Sequence, residues 1–163
     1  MVFYARLVMR LSKNFTSNEL CVSSTAARLG RPIVLEEQIT SNLRALATET
    51  LQPVRDLLGI PVIINSGYRP EWLNKRIGGS ANSQHMQGFA ADFRLSSSSD
   101  LSLIDACKQI VSSDITYDQL ILEHNEWIHI SYSENPRYEV LTAFSERSIG
   151  ISRTQYVKGL EQR

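Results

Sequence analysis

The spacing of apolar residues divides this chain into helices first and strands later. Across residues 36–58, Ile39, Leu43, Leu46, Val54 and Leu57 recur mostly at intervals of three and four, with Thr50 among them. That period predicts an amphipathic helix. Pro53 predicts a kink or restart within it, because proline has no amide hydrogen and crowds the preceding turn. Upstream, Thr16 followed three residues later by Glu19 is a capping-box signal for a helix start. Residues 61–65 read as a buried strand bounded by Gly59 and by Ser66-Gly67. A turn-rich stretch over residues 78–83 follows, and residues 89–95 predict a second strand that carries Asp92. Asp100 is expected to cap a helix whose apolar face holds Leu103, Ile104, Cys107, Ile110 and Val111. Residues 119–123 and 126–132 predict two closing strands joined by His124-Asn125. Two residues between apolar strands is hairpin spacing, and Asn125 tolerates the positive φ such turns need.

Helices followed by strands define an α+β class, a single domain with a small, mostly antiparallel sheet flanked by helices. The chain's 163 residues suit one domain with a sizeable core. There are no internal repeats, and the only biased run is the four serines at 96–99. The expected organisation is an N-terminal extension over residues 1–10, a domain over 11–135, and a short C-terminal tail over 136–163. That tail is packed on the domain or extends from it, and its Arg147, Arg153, Lys158 and Arg163 could make it a docking segment.

Composition narrows the function classes. Lys and Arg number 17, as do Asp and Glu, so no global field favours nucleic acid or an acidic membrane surface. At 42% hydrophobic and 21% charged residues the chain is an ordinary globular protein. Its apolar start is interrupted by Arg6 and Arg10 and lacks the uninterrupted core of a secretory signal; Met9 is an alternative start. No stretch approaches the roughly 20 apolar residues of a membrane span. Synthesis in the cytoplasm as a monomer is the expectation. Cys21 and Cys107 have no CxxC spacing and read as buried thiols rather than a disulfide or metal ligands.

The candidate chemistry lies in residues 83–92 and 126–129. His85, Asp92 and His129 supply two imidazoles and a carboxylate, the donor types of a hydrolytic zinc site that keeps one position for water. Gly88 allows a sharp turn between the first two, and His129 sits on the last strand, from which it can complete the set. By spacing alone the signal is weak, and a loop histidine beside a solvated carboxylate is the plainer reading.

The surrounding blocks change that balance. Residues 66–70 (Ser-Gly-Tyr-Arg-Pro), Asn74, residues 77–80 (Ile-Gly-Gly-Ser), Ser83-Gln84-His85, Gly88, Ala90-Ala91-Asp92 and residues 127–131 (Trp-Ile-His-Ile-Ser) occur in order. Together they closely resemble the zinc D-Ala-D-Ala peptidase family, which includes D-Ala-D-Ala carboxypeptidases, VanX-type dipeptidases and phage endolysins. The segment over residues 11–16 (Leu-Ser-Lys-Asn-Phe-Thr) resembles the start of its small carboxypeptidase-like members, so the resemblance spans about residues 11–133.

The resemblance implies a hedgehog/DD-peptidase-like fold and one Zn²⁺ ion held by His85, Asp92 and His129. It implies an acidic general base shortly before the last histidine, with Glu126 first and Glu123 second. In a regular strand Glu126 and His129 have opposite parity, so a bulge must turn Glu126 inward, and across a two-residue loop Glu123 would share its face. Arg69 is implied to steady the substrate carbonyl or hold a peptide carboxylate. Tyr68, Ser83 and Gln84 are candidate substrate contacts; Trp127 and Trp72 could line a groove or pack in the core, and His124 is expected to be solvated. The implied function is a metallopeptidase acting on peptidoglycan stem peptides, as a D-Ala-D-Ala carboxypeptidase or an L-Ala-D-amino-acid endopeptidase. Delivery to the wall as a phage lysis enzyme or virion component, and trimming of muropeptides in the cytoplasm, both fit. The rival is a catalytically silent zinc-stabilised module or phage structural protein.

Overall fold

The computed structural model describes residues 8–148 and 151–161. Most of the N-terminal extension (residues 1–7) and Arg163 lie outside the described residues. Residues 9 and 10 already belong to the folded unit: the Ser17 amide donates to the Met9 carbonyl at 2.8 Å, and Arg10 bridges Thr16. The Thr16–Glu19 capping box forms, with the Thr16 amide donating to Glu19 Oε2 at 2.8 Å and the Glu19 amide facing Thr16 Oγ1 at 3.4 Å. It opens only one 3₁₀ turn, Glu19–Cys21, before the short helix α1 (Ser24–Arg28).

The long helical segment is α2 (Glu37–Leu46), a π turn (Ala47–Leu51) and α3 (Gln52–Leu58). Pro53 lies in the first turn of α3, and the backbone widens in the turn before it, where the missing amide and the ring's bulk would break α-helical bonds. The expected disturbance at proline is thus a π bulge that keeps the helix continuous. Buried Thr50 donates to the Thr116 carbonyl at 2.7 Å, which ties this helix to the segment leading into the sheet.

The sheet has six strands, β1 (Val62–Ser66), β2 (Ala90–Leu95), β3 (Gln119–Glu123), β4 (Trp127–Ser131), β5 (Glu139–Ser148) and β6 (Ile151–Lys158), in the order β1-β2-β4-β3-β5-β6. All neighbours are antiparallel except β3 and β5. The fold is therefore α+β with a mostly antiparallel sheet. One face, through Ala91, Phe93, Leu120, Leu122, Ile128 and Ile130, joins the core made by α2, α3 and α5 (Leu103–Val111), and α4 (Glu71–Arg76) lies between β1 and β2 in the chain. The opposite face carries Asp92, His129, Ile121 and Glu123, because side chains alternate across a strand. Among the described residues no helix is long and apolar enough to cross a membrane.

Four local expectations are corrected. The helix α5 is capped by Ser102, whose hydroxyl accepts from the Asp105 amide, rather than by Asp100. Its Val111 is 40% exposed while Ala106 is fully buried. Strand β1 is a half-buried edge strand rather than a buried one, with Ile63 at the surface. The stretch after residue 135, expected as a tail packed on the domain or extending from it, forms β5 and β6, which extend the sheet beyond β3. The hairpin loop is a three-residue turn, His124-Asn125-Glu126, with positive φ at His124 and Asn125 and Glu123 opposite Trp127. Cys21 and Cys107 are buried and form no disulfide among the described residues, and burial pushes the Cys107 thiol up to about 12.

Candidate metal centre

Three elements bring the histidines and the aspartate together. Asp92 on β2 lies directly opposite His129 on β4, so their side chains stand side by side on the face away from the core. His85 arrives from a 3₁₀ turn (Gln84–Gln87) that ends at Gly88, whose φ of +76° suits glycine. The ligand-type atoms of all three residues lie within 4.8 Å of one another. His85 Nε2 stands 3.2 Å from Asp92 Oδ1 and 3.2 Å from His129 Nδ1, and His129 Nδ1 stands 2.8 Å from Asp92 Oδ1. Donors around a tetrahedral zinc with bonds of about 2.0–2.1 Å stand roughly 3.3 Å apart.

The donor set asks for a cation. His85 Nδ1 is 2.7 Å from the Gly67 carbonyl, which can only accept, so Nδ1 carries the proton and Nε2 turns its lone pair into the cluster. Burial pushes the His85 imidazolium down, against the pull of Asp92, which keeps the ring a neutral donor. Burial alone would raise the Asp92 carboxyl, but the adjacent His85 and His129 outweigh it and hold the group well below the usual carboxylate range. A neutral lone pair, an ionised carboxylate and a second imidazole nitrogen face one another, and one hydrogen on His129 cannot satisfy all three contacts. A divalent cation does so at once, and these residues fit zinc.

Gly67 makes this contact possible. A Cβ built there would stand 2.3 Å from the Leu20 carbonyl oxygen, because the Tyr68 amide donates to that same carbonyl at 2.7 Å and draws the two backbones together. Only glycine lets the chain pass so close while its own carbonyl reaches His85.

A cavity of about 670 Å³ opens over the cluster. His85, Asp92, His129, Arg69, Ser83, Gln84, Glu123 and Trp127 line it. The three-residue turn decides the place of the two glutamates. Glu123 pairs with Trp127, two residues from the Ile121–His129 pair, so it shares the face of His129. Burial raises the Glu123 carboxyl, the Asp92 charge adds to this, and His129 and His124 oppose it. Glu126 lies exposed in the turn, outside the cavity lining.

Arg69 follows β1, and its backbone amide donates to the His85 carbonyl at 3.0 Å. Burial lowers its guanidinium, Asp92 opposes that, and its buried Nε has no hydrogen-bond partner among the described residues. Tyr68 is 8% exposed and belongs to the core cluster rather than the cavity lining. Trp72 is partly buried against the core with Arg31 4.2 Å above its ring, whereas Trp127 reaches the cavity. His124, expected in solvent, is held by Ser145 Oγ at 3.0 Å, stands 3.7 Å from Glu123 Oε2, and meets the Trp127 ring edge-on.

The reading of the sequence gave several residues around the site no chemical role, Asn74 among them although it was one of the resemblance blocks. Buried Asp118 accepts from the Arg137 guanidinium at 2.6 Å and from Gln84 Nε2 at 3.0 Å, so it braces the residue before His85. Buried Asn74 donates to the Ser80 carbonyl at 2.8 Å and shapes the opposite lip. Thr154 and Tyr156 reach the cavity from β6. An acid opening an apolar strand was the only visible signal for Asp118, and it is also an ordinary turn residue.

The fold and site define a small α+β domain with a His/Asp/His cluster at the floor of an open cavity. Residues 13–131 match the Peptidase M15 family model, and the chain belongs to that family. It is also 37% identical over 71 residues to the zinc D-Ala-D-Ala carboxypeptidase of Streptomyces albus G. That similarity covers 42% of this chain and 28% of the length of the relative.

Proposed function

We propose that this chain is a zinc-dependent peptidase that hydrolyses peptide bonds in peptidoglycan stem peptides, with His85, Asp92 and His129 as the zinc ligands. The observation that supports this best is the convergence of those three donors beside Glu123 on one face of the sheet. Zinc at this position would supply Lewis acidity, activating water for attack and polarising the scissile carbonyl. Glu123 is the proton carrier: its carboxylate oxygen accepts a proton from the attacking water and passes one to the departing amine nitrogen as the C–N bond breaks. Its raised carboxyl favours both halves of that exchange. Arg69 offers an unpaired buried N–H and a positive charge to the developing oxyanion or to a terminal carboxylate. Ser83 and Gln84 line the approach, and Gln84 is held by Asp118.

The name of the Streptomyces relative supports a bond beside D-Ala, and an L-Ala-D-amino-acid bond is the alternative. Wall lysis by a phage and muropeptide trimming both use this chemistry. A catalytically silent module needs no carboxylate on the metal face, so the place of Glu123 favours the enzyme. The test is hydrolysis of defined stem peptides by protein of known zinc content, read as released amine. Release that stops with chelator and returns with zinc is expected. Stoichiometric zinc without release from any stem peptide would support the silent module instead.

A further inference from the structure

We infer that the β5–β6 hairpin forms part of the substrate site, with Tyr156 positioning the peptide on the leaving-amine side of the scissile bond. This rests on the peptidase reading above and goes beyond it, because β5 and β6 lie outside residues 13–131 that match the family.

The sheet register carries the inference. Glu123 lies opposite Trp127 on β4 and beside Ala143 on β5, and Ala143 lies opposite Tyr156 on β6. Cross-strand partners share a face, so Trp127, Glu123, Ala143 and Tyr156 form one row, with the proton carrier between two aromatic residues. With strands about 4.8 Å apart the row spans roughly 14 Å, the length of about four residues of extended peptide. Ala143 is fully buried between them and is covered by its neighbours, so Glu123, Trp127 and Tyr156 are the members of the row that line the cavity. The result is a slot with the Glu123 carboxylate on its wall and an aromatic residue at each end.

The two aromatic residues are held differently. Trp127 packs edge-on against His124, with ring centroids 5.6 Å apart. Tyr156 lines the cavity yet is 53% exposed, and among the described residues its hydroxyl has no hydrogen-bond partner. Partial burial and then the Glu123 and Asp92 carboxylates push that hydroxyl upward, so it stays a neutral donor. A ring with a free donor at its tip suits a peptide: the face takes an aliphatic side chain and the hydroxyl meets a backbone carbonyl. Thr154, one row further along β6, continues the same wall. Because Glu123 returns its proton to the departing amine, the segment nearest this row is the one that leaves.

The test uses the full zinc-loaded chain. Affinity for a stem peptide ending in D-Ala-D-Ala is measured by calorimetry in the Glu123→Gln background, with and without Tyr156→Ala. Turnover is measured in parallel on chains that keep Glu123. Tyr156→Ala should weaken binding about tenfold and raise KM by a similar factor with little change in kcat, and Tyr156→Phe should fall between. A purely structural role for this half-exposed edge residue would shift the melting temperature and leave affinity alone. Affinity within twofold of the parent, or no peptide binding by the parent itself, overturns the inference. Wild-type turnover with unchanged Tyr156→Ala affinity removes only the inference. Absent wild-type turnover removes the peptidase reading, while the affinity ratio still decides the slot.

Discussion

Replacing Glu123 by glutamine separates proton transfer from everything else that residue does. Its side chain is 13% exposed, and the nearest basic group it pairs with among the described residues, His124 Nε2, stands 3.7 Å away, too far for a strong hydrogen bond. Glutamine has the same shape and no charge to desolvate, so folding stability should stay within about 0.5 kcal/mol of wild type or rise slightly. Zinc content should be unchanged, because Glu123 stands two residues along β3 from Ile121, the partner of His129, and outside the donor cluster. Turnover should fall by about 10²–10⁴, the usual contribution of a positioned acid–base group, or roughly 2.7–5.4 kcal/mol of barrier. The same change at Glu126, exposed in the turn, should leave turnover within about twofold, as for a surface substitution. The assay is initial rate at saturating peptide, with zinc content and thermal unfolding measured on the same preparations. If Glu123→Gln keeps more than about a tenth of kcat with full zinc, or Glu126→Gln causes the larger loss, the assignment is refuted.

Other consequences follow from the same geometry. Gly67→Ala puts a Cβ within 2.3 Å of the Leu20 carbonyl oxygen, and backbone must move, so stability should fall by about 1–3 kcal/mol in denaturant unfolding. Because the Gly67 carbonyl orients His85, zinc affinity should fall about 10–100-fold; unaltered zinc affinity would break that link. Chelator should lower the melting temperature of wild type but not of His85→Ala, with about 4 kcal/mol of wild-type stability at stake when free zinc is a thousand times its dissociation constant. Equal chelator sensitivity of the two proteins would count against His85 as a ligand. The Arg137 guanidinium holds the Asp118 carboxyl below the usual carboxylate range. A depressed folded value means stability present above the unfolded value, near pH 4, and lost as pH falls toward the folded one. The advantage of wild type over Asp118→Asn should therefore be about 1–2 kcal/mol near neutral pH, discounted because Arg137 is half exposed, and should shrink below about pH 4. An advantage that persists unchanged at pH 3 would show that the ion pair is not its source.

How far the sequence could be read depended on whether a feature repeats or turns on a single residue. The face of β2 and β4 was legible because alternation is a property of the whole strand: Phe93 and Ile128 go to the core, so Asp92 and His129 go to the other side. Which glutamate faces the cavity was not, because it rests on the length of one loop. A two-residue turn pairs Glu123 with Glu126, and a three-residue turn pairs it with Trp127; that single step exchanges which glutamate faces the cavity. The apolar runs on either side are compatible with both. The parity objection to Glu126 was therefore sound, and its resolution was a longer turn rather than a bulge. The C-terminal strands were hidden for a different reason. Residues 139–148 mix Leu141, Thr142, Ala143 and Phe144 without a period of two, and their pairing with β3 is a parallel, non-local contact that no local signal announces. These two omissions meet at one residue. Glu123 is flanked by β4 through the turn and by β5 through the parallel pairing, so two independent strand registers set its direction, whereas Glu126 has only the turn. The doubly paired strand suits the proton-transfer role proposed for Glu123, because that role needs a fixed position, and the same pairing that steadies Glu123 brings Tyr156 to the cavity.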